Sequence, residues 1–243
     1  MSAERQKLEW HLPAEFDVVA FRRDLLRWWK DNQRVFPWRQ TRDPYRILVA
    51  EILLHRTRAE QVVSLYHRFL RRFPDVVRLA VADYQEVEDE LRSAGLIWRV
   101  RLLYEMAKQI VEKHGGTLPE DSAQLQSLPG ISHYIASAVR CFAWGYPEAL
   151  LDTNTVRIVG RLFGLRITDG SRRSRLFRSV LNRLLDKECP RDFNFALIDL
   201  GATVCRSRNP ACLSCPVRMY CSSGMSTVSI QEEHGSHARD VCH

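Results

Sequence analysis

Four cysteines crowd one short stretch near the C-terminal end of the chain: Cys205, Cys212, Cys215 and Cys221, spaced C-x6-C-x2-C-x5-C. Thiolates supplied by one compact loop can surround a single metal centre, and their chemistry alone accepts either zinc or an iron–sulfur cluster. Arg206, Arg208 and Arg218 lie in the same stretch, as solvated side chains or as phosphate contacts. A second set of candidates is acidic. Asp152 stands just before Thr153-Asn154-Thr155, where an aspartate either caps a helix or offers a carboxylate to a cation forming in a transition state. Glu51, in an apolar helical stretch, is either a solvated face residue or a general acid. Between them, Leu128-Pro129-Gly130-Ile131-Ser132 reads as a tight turn entering a helix near His133. Such a turn exposes backbone N–H groups beside a helix N-terminus, which suits a phosphate.

The elements that must hold these groups are helices. Apolar residues recur at helical intervals, as in Val62, Tyr66, Phe69 and Phe73, in Val100, Leu103, Ala107 and Ile110, and in Leu176, Val180 and Leu184. The breaks fall at Phe73-Pro74, Gly115-Gly116 and Leu118-Pro119, which are helix punctuation. No run alternates as a strand would, so the expected fold is all-α. Short loops separate the helices, and there is neither a low-complexity linker nor a long internal repeat. From Ser222 to His243 the pattern stops, and a flexible tail is expected; its His234, His237 and His243 fit a solvated end better than a metal site.

Composition narrows the class. The chain has 243 residues, 45% of them apolar, enough to bury a core, and its 36 Lys and Arg against 29 Asp and Glu give a net charge of +7, which suits a polyanionic partner. Seven cysteines, an odd number with four in one cluster, argue against a disulfide framework and for a reducing compartment. Cys141, Cys189 and Cys242 fit no ligand spacing and are expected to be buried or incidental thiols. No apolar run reaches the ~18 residues of a membrane span, and the first residues carry charges throughout, so a soluble intracellular protein is expected.

Together these motifs resemble the helix-hairpin-helix superfamily of iron–sulfur DNA glycosylases, the endonuclease III-like proteins. The cysteine spacing is similar to their cluster loop at every position. The Leu128 to Ser132 turn resembles their LPGVG hairpin, with Ser132 where a second glycine is usual, and Leu150 to Arg157 resembles the segment that carries their catalytic aspartate. Phe36-Pro37-Trp38-Arg39, Asp43-Pro44-Tyr45-Arg46 and Glu51 to Thr57 resemble the opening of the thymine- and adenine-DNA glycosylases, and Arg191 to Asn194 with Asp199 to Ala202 leads into Cys205 as in those relatives.

The resemblance implies two α-helical lobes with duplex DNA across the cleft: a six-helix barrel with the hairpin over 36–148, a discontinuous cluster lobe over 1–35 and 149–221, and the tail 222–243. It implies a [4Fe-4S] cluster on Cys205, Cys212, Cys215 and Cys221. Asp152 would stabilise the oxocarbenium-like sugar as the N-glycosidic bond breaks, and Glu51 would protonate N7 of an adenine or hydrogen-bond the imide edge of a flipped pyrimidine. Leu128, Gly130, Ser132, Arg206 and Arg208 would meet phosphates, His55 and Arg56 the gap or the orphan base, and Leu96 would be the intercalating wedge. Lyase-capable relatives place an imine-forming lysine where this chain has Tyr134, so a monofunctional enzyme without lyase activity is expected. Tyrosine there is similar to mismatch-specific thymine-DNA glycosylases, whereas serine is usual in adenine-DNA glycosylases. Adenine enzymes usually add a C-terminal domain, and this chain ends soon after Cys221. The expected substrate is therefore thymine or uracil opposite guanine in double-stranded DNA, with adenine opposite guanine or 8-oxoguanine as the alternative. A non-catalytic cluster-containing DNA-binding protein is a third reading, and a zinc-ribbon binder explains the cysteines but not the hairpin, Glu51 or Asp152. The protein is expected to act as a monomer, near the nucleoid and away from membranes.

Overall fold

The computed structural model describes residues 11–54, 57–92 and 97–225, the side chains of Ile97 and Trp98 excepted. Its elements are α-helices and short 3-10 turns, with no strand among the described residues. In chain order the helices are α1 (Val18–Asn32), α2 (Pro44–Leu53), α3 (Ala59–Arg72), α4 (Val76–Ala80), α5 (Tyr84–Arg92), α6 (Ile97–His114), α7 (Ser122–Ser127), α8 (His133–Trp144), α9 (Thr153–Leu162), α10 (Arg175–Leu184) and α11 (Pro190–Thr203). The all-α expectation holds. The starts are written in the sequence: Asp17, Asp43, Asp75, Asp121, Ser132 and Asp152 each precede a helix and accept a hydrogen bond from its first free backbone N–H groups.

The chain divides into two compact units, Val35–Glu148 and a discontinuous one formed by Met1–Arg34 with Ala149–His243. In the continuous unit, α2 packs on α8 and α3, while α6 carries α4 and α5. Leu48, Phe69, Leu91, Met106 and Ile110 fill its core, and the buried Tyr45 hydroxyl donates to the Phe73 carbonyl at 2.9 Å. The periodic residues read in α3 and α6 are all buried there. In the discontinuous unit α11 is central, with α1 and α9 against it and α10 packed on α9. Here the structure corrects one register. Leu176 of α10 is 38% exposed, and the buried stripe runs through Phe177, Val180, Leu181 and Leu184.

The two ends of the chain are joined in this unit by one buried carboxylate. Asp199 of α11 is fully buried, accepts from Trp29 Nε1 at 3.0 Å and from the Arg34 backbone N–H at 3.1 Å, and lies 3.9 Å from the Arg34 guanidinium. Removing one partner of a buried charged network leaves the others unsatisfied, at a cost of about 3 kcal/mol or more. Asp199→Ala should therefore lower the melting temperature by roughly 6 to 12 °C for a chain of this size. A calorimetric scan showing a shift under about 2 °C would remove Asp199 as the tie between α1 and α11.

Candidate functional site

Asp152 is the N-cap of α9. Its Oδ1 accepts from the Thr155 backbone N–H at 2.7 Å, the Thr155 hydroxyl returns a bond with the Asp152 N–H at 2.9 Å, and Oδ2 accepts from Asn154 Nδ2 at 3.0 Å. This is a complete capping box, so the capping role weighed in the sequence is real. The carboxyl is nevertheless held above the usual carboxylate range, because burial penalises its charged form more than the hydrogen bonds from Thr155 and Asn154 favour it.

Sequence reading missed the residues that fix this group. Asn154 Oδ1 accepts from Arg157 at 2.8 Å, and Arg157 donates onward to the carbonyls of Gly201 at 2.7 Å and Cys205 at 2.8 Å. Gly201 must lack a side chain, since a Cβ there would stand 2.6 Å from Asn154 Cβ. One turn further along α9, Arg161 donates to the carbonyls of Arg206 at 2.7 Å and Ser207 at 3.1 Å, and its own carbonyl lies 3.4 Å from Cys221 Sγ. Both ends of the cysteine loop are thus anchored on the helix that Asp152 caps. Asn154 and Arg157 were visible as polar residues of an amphipathic helix, but the partners of Arg157 in α11 and the cysteine loop lie more than forty residues away.

The four thiols are half-buried and free of disulfides. Burial, with a contribution from the other three cysteines, pushes the Cys215 thiol up to about 11, and burial likewise raises Cys221. Backbone N–H groups of Val217, Ser223 and Gly224 offset this by bonding to the two sulfurs, and Arg161 Nη1 is 3.4 Å from Cys205 Sγ. With Cys215 and Cys221 already receiving backbone N–H groups and Cys205 facing Arg161, the four cysteines offer a thiolate donor set of the kind a cationic cluster core takes. Among the described residues no three His, Cys, Asp or Glu side chains are disposed to share one metal ion. Arg206 and Arg208 are exposed, Arg206 bonding to the Asn209 carbonyl at 2.9 Å, and Arg218 is half-buried. Cys141 is buried in α8, Cys189 is exposed, and Cys242 lies outside the described residues.

In the continuous unit the hairpin joins α7 to α8. Gly130 has φ +78°, a conformation closed to most side chains, and a Cβ there would meet Leu102 at 3.1 Å. Ser132 caps α8, accepting from the Ile135 N–H at 3.3 Å, so serine in place of the family's second glycine supplies a cap. Gly130 and Ser132 are exposed, whereas the Leu128 side chain is only 2% exposed and anchors the turn in the core. Any contact of Leu128 with a phosphate is thus left to its backbone, as expected of a turn that offers N–H groups. Glu51 in α2 and Tyr134 in the first turn of α8 are half-buried on two helices that pack together. His55, Arg56 and Leu96 lie outside the described residues, as do the tail from 226 onward and its histidines.

Residues 49–183 match the family described as HhH-GPD superfamily base excision DNA repair protein. The chain is 39% identical over 212 residues to the thymine-DNA glycosylase of Aeropyrum pernix, covering 84% of this chain and 94% of that protein. It is 36% identical over 213 residues to the thymine/uracil-DNA glycosylase of Pyrobaculum aerophilum, covering 85% and 92%. A solved structure of a thermostable thymine-DNA glycosylase superposes with a TM-score of 0.79 at 32% identity, over 86% of this chain and 97% of that one.

The Asp152 environment predicts a pH signature. Because the folded carboxyl titrates above its unfolded value of about 3.8, its ionised form costs stability, and that cost appears as pH rises from the unfolded toward the folded value. Asp152→Asn keeps the cap oxygen and removes the charge, so its stability relative to wild type should increase from pH 4 to pH 7 in denaturant titrations. A constant or falling difference would contradict the raised carboxyl.

Proposed function

The chain belongs to the HhH-GPD superfamily of base excision DNA repair proteins, a DNA glycosylase family, and on that premise we propose that it hydrolyses the N-glycosidic bond of thymine or uracil opposite guanine. The observation that carries this reading is the half-buried carboxyl of Asp152, fixed at the start of α9 by Thr155 and Asn154, in a chain whose similar relatives are named for thymine and uracil. Breaking the deoxyribosyl C–N bond builds positive charge on the sugar. A carboxylate made costly by burial in the free enzyme gains most when that cation forms beside it, which is stabilisation concentrated in the transition state.

By its position after the hairpin, Tyr134 matches the imine-forming lysine of lyase-capable relatives, and a phenol has no amine to form a Schiff base, which supports water as the nucleophile and an abasic site as the product. Glu51 offers a hydrogen-bonding group to the imide edge of the flipped pyrimidine. Exposed Gly130 and Ser132 with Arg206 and Arg208 supply phosphate contacts that position the duplex without reading its sequence. A mispaired base costs less to unstack than a matched one, which helps select the target.

Cys205, Cys212, Cys215 and Cys221 would hold a [4Fe-4S] cluster, whose chemistry here is to neutralise four thiolates and make their loop rigid. The protein's own part is the anchoring of that loop through Arg157 and Arg161. Cys212→Ser should lose iron together with most DNA affinity, checked by iron analysis and binding of undamaged duplex on anaerobically prepared protein. Stoichiometric zinc with no iron in the wild type would overturn the cluster.

The substrate is tested by incubating the protein with labelled duplexes carrying T·G, U·G, A·G and A opposite 8-oxoguanine, each split into samples with and without alkali. Breaks should appear on T·G and U·G after alkali alone, and Asp152→Asn should slow the single-turnover rate by on the order of 100-fold or more. Release of adenine but never thymine or uracil would replace this substrate with the adenine alternative.

A further inference from the structure

Several arginines at the surface face a carboxylate: Arg68 with Glu90 at 2.6 Å, Arg72 with Glu86 at 2.7 Å, Arg92 with Glu88 at 2.9 Å and Arg101 with Glu105 at 2.7 Å. Others, such as Arg42, Arg58 and Arg78, are exposed without one but are scattered along the chain. The stretch 165–183 is different. It holds six arginines, no lysine and one acid, Asp169, a net of five positive charges in a chain whose total is +7. Arg166, Arg172, Arg173 and Arg175 are exposed, and none of them pairs with a carboxylate among the described residues.

The fold presents these side chains rigidly. Ser171 is buried and its hydroxyl accepts from the Thr168 N–H at 2.9 Å, fixing a 3-10 turn over Ser171–Arg173. That turn and α10 both pack on α9, and because Phe177, Val180, Leu181 and Leu184 face inward, Arg175 faces out. Like charges gathered without an internal counter-charge repel one another, and burial elsewhere in the segment does not require them. Arginine alone, never lysine, is the choice for a planar fork that grips phosphate oxygens in pairs.

From these observations we propose that the surface of Arg166, Arg172, Arg173 and Arg175 is a second duplex-DNA contact, gripping backbone phosphates that flank the target nucleotide; the choice of DNA as partner rests on the glycosylase reading. Its place on α9 sets the reach. Gly160 lies directly under the Ile167 side chain, where a Cβ would stand 2.6 Å away, and Gly160 is eight residues along the helix from Asp152, about 12 Å at 1.5 Å per residue. At about 3.4 Å per base pair the phosphates met here lie several steps from the nucleotide at Asp152.

The test uses the full chain carrying Arg172→Ala, Arg173→Ala and Arg175→Ala together, with Arg72→Ala, Arg92→Ala and Arg101→Ala together as a charge-matched control on carboxylate-paired sites. Binding of short and long undamaged duplexes is followed through a salt titration. The triple variant should lose about 0.9 from the log–log salt slope for each phosphate contact removed, up to about 2.7, and should lose the advantage of long over short duplex, while the control keeps both. Its melting temperature should stay level or rise. A slope and length dependence equal to wild type overturn the second contact. Because undamaged duplex needs no excision, a wild-type enzyme that releases no base overturns the proposed substrate and leaves this measurement standing.

Discussion

Arg157 is the residue on which the discontinuous unit turns. Its guanidinium joins the carbonyl of Gly201 at the end of α11, the carbonyl of Cys205 at the start of the cysteine loop, and Asn154, whose amide holds Asp152. Two stretches distant in sequence, 152–157 and 201–205, therefore share one planar, permanently charged group. A lysine could satisfy the charge but not the fork, since it lacks the fixed angular spread of donors. The close passage of α9 over α11 that makes these bonds possible depends on Gly201, where any side chain would strike Asn154. Loop origin and carboxyl are thus set by the same contact, and a shift in one is felt by the other.

Asp152 is held by opposing forces. The free N–H of Thr155 and the positive end of α9 favour its ionised form, and burial disfavours it, with burial prevailing. A surface N-cap would be ionised at no cost and would do nothing but stabilise a helix. Here the same hydrogen bonds that cap the helix also fix the direction of the carboxyl, so structure and proposed chemistry use one geometry.

Charge is distributed with comparable economy. Where arginines serve stability they meet acids within a few residues or on a neighbouring helix, as in the Arg68, Arg72, Glu86 and Glu90 network. Where they serve the fold's interior contacts they meet carbonyls, as Arg22 does with Leu184 and Leu185 and Arg161 does in the cysteine loop. Exposed Arg166, Arg172, Arg173 and Arg175 fit neither use, and they gather positive charge in one stretch of the chain.

Much of this was legible in the residues themselves. Helical period, capping residues and breaks at Gly and Pro made the chain all-α, because those features act over a few residues and need no tertiary partner. Spacing brought the four cysteines into one loop for the same reason, and Asp152 was identifiable as both a cap and a candidate carboxyl from its own neighbours. Long-range packing decided the rest. It put Phe177 rather than Leu176 inside, turned the Leu128 side chain into the core and left Gly130 and Ser132 outside, and raised the Asp152 carboxyl by burial. It also gave Asn154, Arg157 and Gly201 their roles, which no local pattern announces. Their partners are set by how α9 crosses α11, and a close approach between helices depends on the shapes of both surfaces, whereas a period or a cap depends on one.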